Sequence, residues 1–280
     1  MTDFFTQLTE ILEKEAARRP GMPVAEETLR ELLASRPASG PAVPPAPPRQ
    51  AVPAPRPVPP RQIAPAVLPG SAPSAAPDSP PQDPIPLPMA DLEALRAEVC
   101  RCRRCPLAAT RLNPVPGEGN PHARLMFIGE GPGADEDRQG RPFVGPAGQL
   151  LDKMIAAMQF RREEVYIANI VKCRPPRNRA PMPEEAGMCL PFLQEQIRLV
   201  RPEVIVLLGA TAVHYLLKRQ EGIMRLRGRW LDCGGIPAMP TFHPAFLLRQ
   251  EQAKRDAWED LKQVMRRLGK EPPAPRRGAR

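Results

Sequence analysis

Between residues 91 and 268 the chain alternates two hydrophobic rhythms. Short apolar runs, Arg124-Leu-Met-Phe-Ile-Gly129, Val165-Tyr-Ile-Ala-Asn-Ile170 and Val204-Ile-Val-Leu-Leu208, have strand length and little polar interruption before their ends. Such runs are the mark of strands buried on both faces. A weaker run spans Ile236 to Phe242. Between them, apolar residues recur at helical spacing over Gly145–Met158, Pro183–Val200, Ala210–Lys218 and Glu251–Leu268, and Leu92, Leu95 and Val99 mark a further helix face. Strands alternating with helices predict a three-layer α/β/α sandwich around a central, mostly parallel four-stranded sheet. Ligands of such sheets bind at the carboxyl ends of the strands. Glu130, Asn169 and His243 all fall at or just beyond those ends.

Upstream the pattern changes. About half of the 41 prolines lie between Pro37 and Pro88, mixed with Ala, Val, Arg and Ser. This composition predicts a disordered, extended Pro-rich linker over 37–90. Before it, Phe4, Leu8, Ile11 and Leu12, then Leu29, Leu32 and Leu33, keep helical spacing. Residues 1–36 thus read as a short amphipathic helical segment, too small to fold alone and suited to docking on a partner. The main domain is expected over 91–270, with a basic tail over 271–280.

Charge sharpens the picture. A net charge of +9 favours a polyanionic partner such as nucleic acid. Asp3, Glu10, Glu13 and Lys14 interrupt the apolar residues at the start, which excludes a secretory signal there, and no stretch has the length of a membrane span. The expectation is a cytoplasmic protein without membrane association. In that compartment clustered cysteines point to a metal or to catalysis rather than to disulfides.

Four of the six cysteines form two separated groups, Cys102-x2-Cys105 and then Cys173 with Cys189. Four thiolates suit either tetrahedral zinc or a 4Fe–4S cluster, and spacing alone does not choose. Cys100 reads as a packing residue at the end of a helix face, and Cys233 as a bystander.

Between the cysteine groups lies Gly129-Glu-Gly-Pro-Gly133, followed by Glu136-Asp137. It lacks the Lys-Ser/Thr of a P-loop and the full GxGxxG of a dinucleotide site. Its carboxylates would repel phosphate, so a turn set against a neutral ring fits better. Phe143, between Pro142 and Val144-Gly145, is a candidate stacking platform. Asn169 closes an apolar strand, where a carboxamide is unfavourable without something to recognise. Its one acceptor and two donors match an imide edge such as uracil N3–H and O4. Of three histidines, His122 and His214 read as structural, while His243 stands at a strand end held extended by Pro244. Two basic loops, Lys172, Arg174, Arg177 and Arg179, and Arg225, Arg227 and Arg229, suit a phosphate backbone.

Taken together, these motifs resemble the family 4 uracil-DNA glycosylases, the iron–sulfur type of bacteria and archaea, over roughly Asp91 to Leu268. The matching strings are the cysteine pairs, Gly-Glu-Gly-Pro-Gly133 with Glu136-Asp137, Gly-Arg-Pro-Phe-Val-Gly145, Asn169-Ile-Val-Lys-Cys-Arg-Pro-Pro176, Asn178-Arg179 and His-Pro-Ala-Phe-Leu-Leu-Arg249. The resemblance implies an enzyme that flips uracil out of single- or double-stranded DNA and hydrolyses its N-glycosidic bond. It would release free uracil and leave an abasic site, the first step of base excision repair. It also implies one structural 4Fe–4S cluster on Cys102, Cys105, Cys173 and Cys189, and no nucleotide cofactor.

By position, the resemblance assigns Phe143 to stack on the flipped base, Asn169 to read its polar edge and Glu136 to fill the space beside C5. His243 would donate to O2, Glu130 and Gly131 would lie near the sugar and the attacking water, and Asn178 would support the pocket. Arg174, Arg179, Arg227 and Arg249 would meet DNA, with Leu247 as the wedge that fills the vacated stack. Many relatives carry Tyr where this chain has Phe246. The enzyme would act as a monomer near the nucleoid, with residues 1–36 free to reach a repair-protein partner. The alternative is a non-catalytic or product-trapping uracil-DNA-binding protein with a four-cysteine metal site. A carboxylate in the pocket argues against a pure binder, and the Lys-Arg-Arg-Ile-His string of the trapping branch is absent. The Glu130–Asn169 pair also favours family 4 over the broader family 5.

Overall fold

The computed structural model describes residues 87–273. The expected helical segment over 1–36, the Pro-rich stretch up to residue 86 and residues 274–280 of the basic tail lie outside the described residues.

The domain opens with α1 (Leu92–Arg101), whose N-cap Asp91 accepts from the Ala94 N–H at 2.8 Å and whose Leu95 and Val99 are buried one turn apart. There follow α2 (Leu107–Thr110), β1 (Glu118–Gly119), β2 (Leu125–Gly129), α3 (Ala134–Gln139) and α4 (Pro146–Ala157), which starts with proline in its first turn. Next come β3 (Tyr166–Asn169), the 18-residue α5 (Pro183–Val200), β4 (Val204–Leu208) and α6 (Ala210–Leu217). The chain closes with α7 (Ile223–Leu226), β5 (Leu231–Cys233), β6 (Ile236–Thr241), α8 (Pro244–Leu247) and α9 (Ala253–Arg267).

The sheet has six strands in the order β1-β3-β2-β4-β6-β5. The four central strands run parallel, as the apolar runs predict, and each edge carries an antiparallel strand. The expectation of four strands is corrected by these edges. Strand β1 has only two residues, too few for any periodicity, and β5 has three. A signal for β5 does exist, since Gly234-Gly235 between two short apolar runs is a hairpin dipeptide, and both glycines adopt positive φ.

Alternation along β2 divides the interior. Met126 and Ile128 join a core with Leu95, Val99, Phe192, Leu193 and Val213 on one face, contributed by α1, α5 and α6. Leu125 and Phe127 join Leu151, Ile155, Leu261 and Val264 on the other, contributed by α4 and α9. These two apolar layers make the three-layer sandwich. Because β2, β3, β4 and β6 are parallel, their carboxyl ends form one rim, where Gly129 pairs beside Asn169 and Leu208 beside Thr241.

Candidate active site and four-cysteine centre

At that rim a cavity of about 530 Å³ opens, lined among others by Glu130, Glu136, Phe143, Asn169, His243 and Arg249. Its size falls within the range of small-ligand sites. All three end-of-strand polar groups expected from the sequence therefore meet in one place.

Phe143 holds a left-handed backbone conformation, φ 51°, rare for an aromatic residue and maintained only where the surroundings enforce it. Its ring lies 5.7 Å from the His243 ring, centroid to centroid. Two glycines make room for it. A Cβ on Gly129 would sit 2.6 Å from the Phe143 ring and 2.5 Å from Asn169 Oδ1, and one on Gly148 would strike the Phe143 carbonyl. Glu136 ties the same loop down, since its carboxylate accepts from the N–H groups of Val144 at 2.9 Å and of Gly145 and Gly133 at 3.0 Å. Glu136 thus lines the cavity and also staples the start of α3 to the Phe143 turn. Its neighbour Asp137 turns away and accepts from the Leu112 and Asn113 N–H groups. The acidic Gly-rich segment is therefore partly helix, a helix capped by a glycine that shows no side-chain signature.

Asn169 is 2% exposed, and its Oδ1 is buried without a hydrogen-bond partner. Leaving such an acceptor unmade costs on the order of 1–3 kcal/mol. A buried polar atom of this kind calls for an explanation, and a ligand facing it is one.

His243 is extended, φ −69° and ψ 137°, and Pro244 then starts α8. The Ala245 N–H donates to Nδ1 at 3.1 Å, so the ring proton sits on Nε2. Burial, helped by the nearby Arg249 cation and opposed by the Glu136 carboxylate, pushes the imidazole pKa down to about 4. The ring is therefore a neutral Nε2–H donor. Glu130 lines the same cavity and accepts from the Thr211 hydroxyl in the first turn of α6. Gly131 beside it has no room for a side chain, since a Cβ would come 2.7 Å from Val171 Cγ2.

The basic residues divide. Asn178 and Arg179 line the cavity, where Asn178 Oδ1 accepts from Arg174 Nε at 2.7 Å and Arg179 makes a two-pronged pair with buried Glu185. Arg249 lies at the mouth of the cavity and is exposed. Two readings are corrected here. Arg227 is bound to buried Asp260 at 2.7 Å and lies over the Phe242 ring, so it props α9 against the sheet rather than facing a phosphate. Lys172, expected in a solvated basic loop, is 1% exposed and donates to the Asn169 carbonyl at 2.7 Å and to Gln196 Oε1 at 2.6 Å. Burial pulls its pKa down to about 8, against the opposing charge of the Cys189 and Cys173 thiols.

A third correction concerns the wedge. Leu247 is 1% exposed and packs in the core with Leu150, Met154 and Leu261, because the short α8 turns it inward. Its neighbour Leu248 is 43% exposed at the same end of the motif. Thr211, which donates to Glu130, and Arg162, which donates to the Pro142 and Phe143 carbonyls, carry no signal in the sequence that marks them, since the partners that define them are distant in the chain.

Cys102, Cys105, Cys173 and Cys189 line a single cavity between α1, α2, the turn after β3 and α5. Arg111 donates to Cys173 Sγ at 2.9 Å and to the Cys102 carbonyl at 2.9 Å, and the Lys172 N–H donates to Cys189 Sγ at 3.3 Å. Burial pushes the Cys189 thiol up to about 12 and raises Cys173 and Cys105. Such thiols become charged only where a bound cation offsets desolvation. Among the described residues no three Cys, His, Asp or Glu side chains are grouped so as to hold a single metal ion. Cys100 is exposed rather than packed, and Cys233 stands apart on β5. Among the described residues no helix is long and apolar enough to cross a membrane.

Fold and site together define an α/β protein that opens a polar pocket, walled by an aromatic ring and a neutral imidazole, at the carboxyl rim of a parallel sheet. The profile of the Uracil DNA glycosylase superfamily matches residues 116–262. The chain is 46% identical over 184 residues to the Type-4 uracil-DNA glycosylase of Thermotoga maritima, covering 64% of this chain and 96% of that protein. It is 39% identical over 193 residues to the Type-4 enzyme of Archaeoglobus fulgidus, covering 66% and 97%. Against the Type-5 uracil-DNA glycosylase of Thermus thermophilus it is 34% identical over 191 residues, covering 55% and 86%. The chain belongs to the uracil-DNA glycosylase superfamily and, at these identities, to its type-4 branch.

Proposed function

We propose that this protein excises uracil from DNA by hydrolysing the N-glycosidic bond, opening base excision repair with an abasic site. The observation that carries the reading is the unpartnered Asn169 Oδ1, buried beside the Phe143 ring and across the cavity from a neutral His243. A base inside a duplex is out of reach, so it is flipped into the pocket at a cost of about a few kcal/mol. The flipped ring stacks on Phe143. Asn169 Oδ1 accepts from uracil N3–H, and its amide donates to O4. Cytosine presents the reverse pattern at N3 and N4 and is refused. Glu136 stands beside C5, where a thymine methyl would need room.

As the glycosidic bond breaks, its electron pair moves to N1 and onto O2 of the leaving uracil anion. The His243 Nε2–H donates to O2 and strengthens as that charge develops. Glu130, held by Thr211, lies with Gly131 on the sugar side, where its negative charge favours the cationic sugar and an approaching water. Water then adds to C1′, and the proton it sheds passes through solvent to the uracil anion, which leaves as neutral uracil. Arg174, Arg179 and Arg249 engage phosphates, and Leu248 rather than Leu247 fills the vacated stack.

The donor set fits a 4Fe–4S cluster. Cys102, Cys105, Cys173 and Cys189 would hold it, and when bound it supplies a tie between the end of α1, the turn after β3 and α5 but no step of the hydrolysis. Purified protein should carry about four irons and four acid-labile sulfides per chain. Cys189→Ser should lower both together, and zinc in their place would overturn the assignment. Acting on DNA in the cytoplasm, the protein needs no further cofactor.

The test of function is alkaline cleavage of labelled uracil-containing oligonucleotides, single- and double-stranded. Uracil-dependent cleavage supports the reading, whereas tight binding without cleavage replaces it with a binding protein. In the same assay Leu248→Ala should lose activity on duplex relative to single strand. Leu247→Ala should instead destabilise the fold by about 2–5 kcal/mol and leave that ratio unchanged.

A further inference from the structure

Arg162 sits in a short 3₁₀ turn ahead of β3 and serves no ligand contact in the scheme above. Its guanidinium makes five hydrogen bonds. Nε donates to Glu118 Oε1 at 2.9 Å, Nη2 to the same oxygen and to the Pro142 carbonyl, both at 2.6 Å, and Nη1 to Asp152 Oδ1 at 2.6 Å and the Phe143 carbonyl at 3.2 Å. A guanidinium has five N–H donors, so none is left over. Two of the five go to the two consecutive carbonyls that flank the left-handed φ of Phe143. The other three go to carboxylates on β1 and α4, elements that the sheet and the core hold fixed. Glu118 is itself bound by Arg141, and although burial opposes it, the hydrogen bonds from Arg141 and Arg162 hold its carboxyl below the usual range.

We infer that Arg162 is a positioning residue for the aromatic platform: it clamps the Pro142–Phe143 carbonyls to Glu118 and Asp152 and so enforces the backbone conformation that presents the Phe143 ring to the base. The carbonyls on one side of the turn are held by Arg162, and the N–H groups on the other by Glu136. Both grips are needed because an aromatic residue at positive φ relaxes out of that conformation when either is released. Lysine cannot replace the arginine. It offers three donors from one point, against a planar fork that reaches four acceptor groups. The base-stacking consequence rests on the glycosylase reading, but the clamp itself does not.

Two measurements separate them. In hydrogen exchange, Arg162→Lys should speed exchange of the Val144 and Gly145 amides, with β2 and β4 protected as in the wild type. That readout is independent of catalysis. In the uracil-release assay, Arg162→Lys should lower kcat/KM by about 10- to 100-fold, the usual cost of a small misplacement in a site. The decisive experiment is the double-mutant cycle with Phe143→Ala. If Arg162 acts through the ring, adding Arg162→Lys to Phe143→Ala costs less than about threefold more. Multiplicative losses, or unchanged exchange at residues 144–145, would overturn the inference. Wild-type protein that releases no uracil while Arg162→Lys still loosens the turn would instead sink the glycosylase reading alone. Should Arg162→Lys fold poorly, Asp152→Asn, half-exposed on α4, loosens one arm of the clamp and should give a smaller effect of the same pattern.

Discussion

Replacing His243 with alanine is expected to slow uracil release about 100- to 1,000-fold while leaving affinity for uracil-containing DNA nearly intact. The donor matters most when negative charge collects on O2, so its loss raises the barrier more than it weakens ground-state binding. Single-turnover cleavage with enzyme in excess isolates that step. The electrostatics add a second, independent expectation. An unfolded imidazole titrates near about 6.5, whereas burial and the Arg249 charge bring His243 down to about 4. Between those values the unfolded chain binds more protons than the folded one, so this group makes stability rise with pH across the window. Below it the penalty is fully present. For catalysis, the neutral donor persists through mild acid, and kcat/KM should show no acid limb at the ordinary histidine pKa of about 6.5. A rate that instead falls as pH rises through about 6.5, with that fall absent in His243→Ala, would mean that the imidazolium, not the neutral ring, is the electrophile.

How much of this was written in the chain depends on the range of the interactions involved. Strand β4 and helix α5 have the bounds that the hydrophobic rhythm predicts, Val204–Leu208 and Pro183–Val200, because burial on both faces and a proline start leave one solution. The rim groups Glu130, Asn169 and His243 were legible for a related reason. Polar residues at the ends of apolar runs, in a sheet whose strands are parallel, must share one edge.

What the pattern hid was set by distant partners. Lys172 lies among arginines and reads as solvated, yet the turn after β3 carries it inward to Gln196, 24 residues on. Leu247 and Leu248 are equivalent in any pattern, and only the helical turn of α8 after Pro244 decides which one faces the core. Arg227 reads as a basic loop residue because Asp260, which claims it, is on another helix. Glu118 and Arg162 are ordinary surface charges until β1 and the 3₁₀ turn bring them together.

Asn169 provides the second large effect, one in which stability and activity move in opposite directions. Asn169→Leu keeps nearly the same side-chain shape but removes a carboxamide oxygen that has no partner within the protein. Relief of that unmade hydrogen bond should stabilise the folded state by about 1–3 kcal/mol. At roughly 2–4 °C per kcal/mol for a domain of this size, melting should shift upward by several degrees. Activity should fall hard. Uracil N3–H and O4 would be stripped of water against a leucine, and two lost hydrogen bonds at about 1–3 kcal/mol each correspond to about 30- to 25,000-fold in kcat/KM. A structural role for the amide predicts the reverse, a lower melting temperature with activity reduced only in proportion to the unfolded fraction. Thermal melts and uracil release on one preparation therefore separate the two cases, because a residue kept for recognition costs the fold what it contributes to the site.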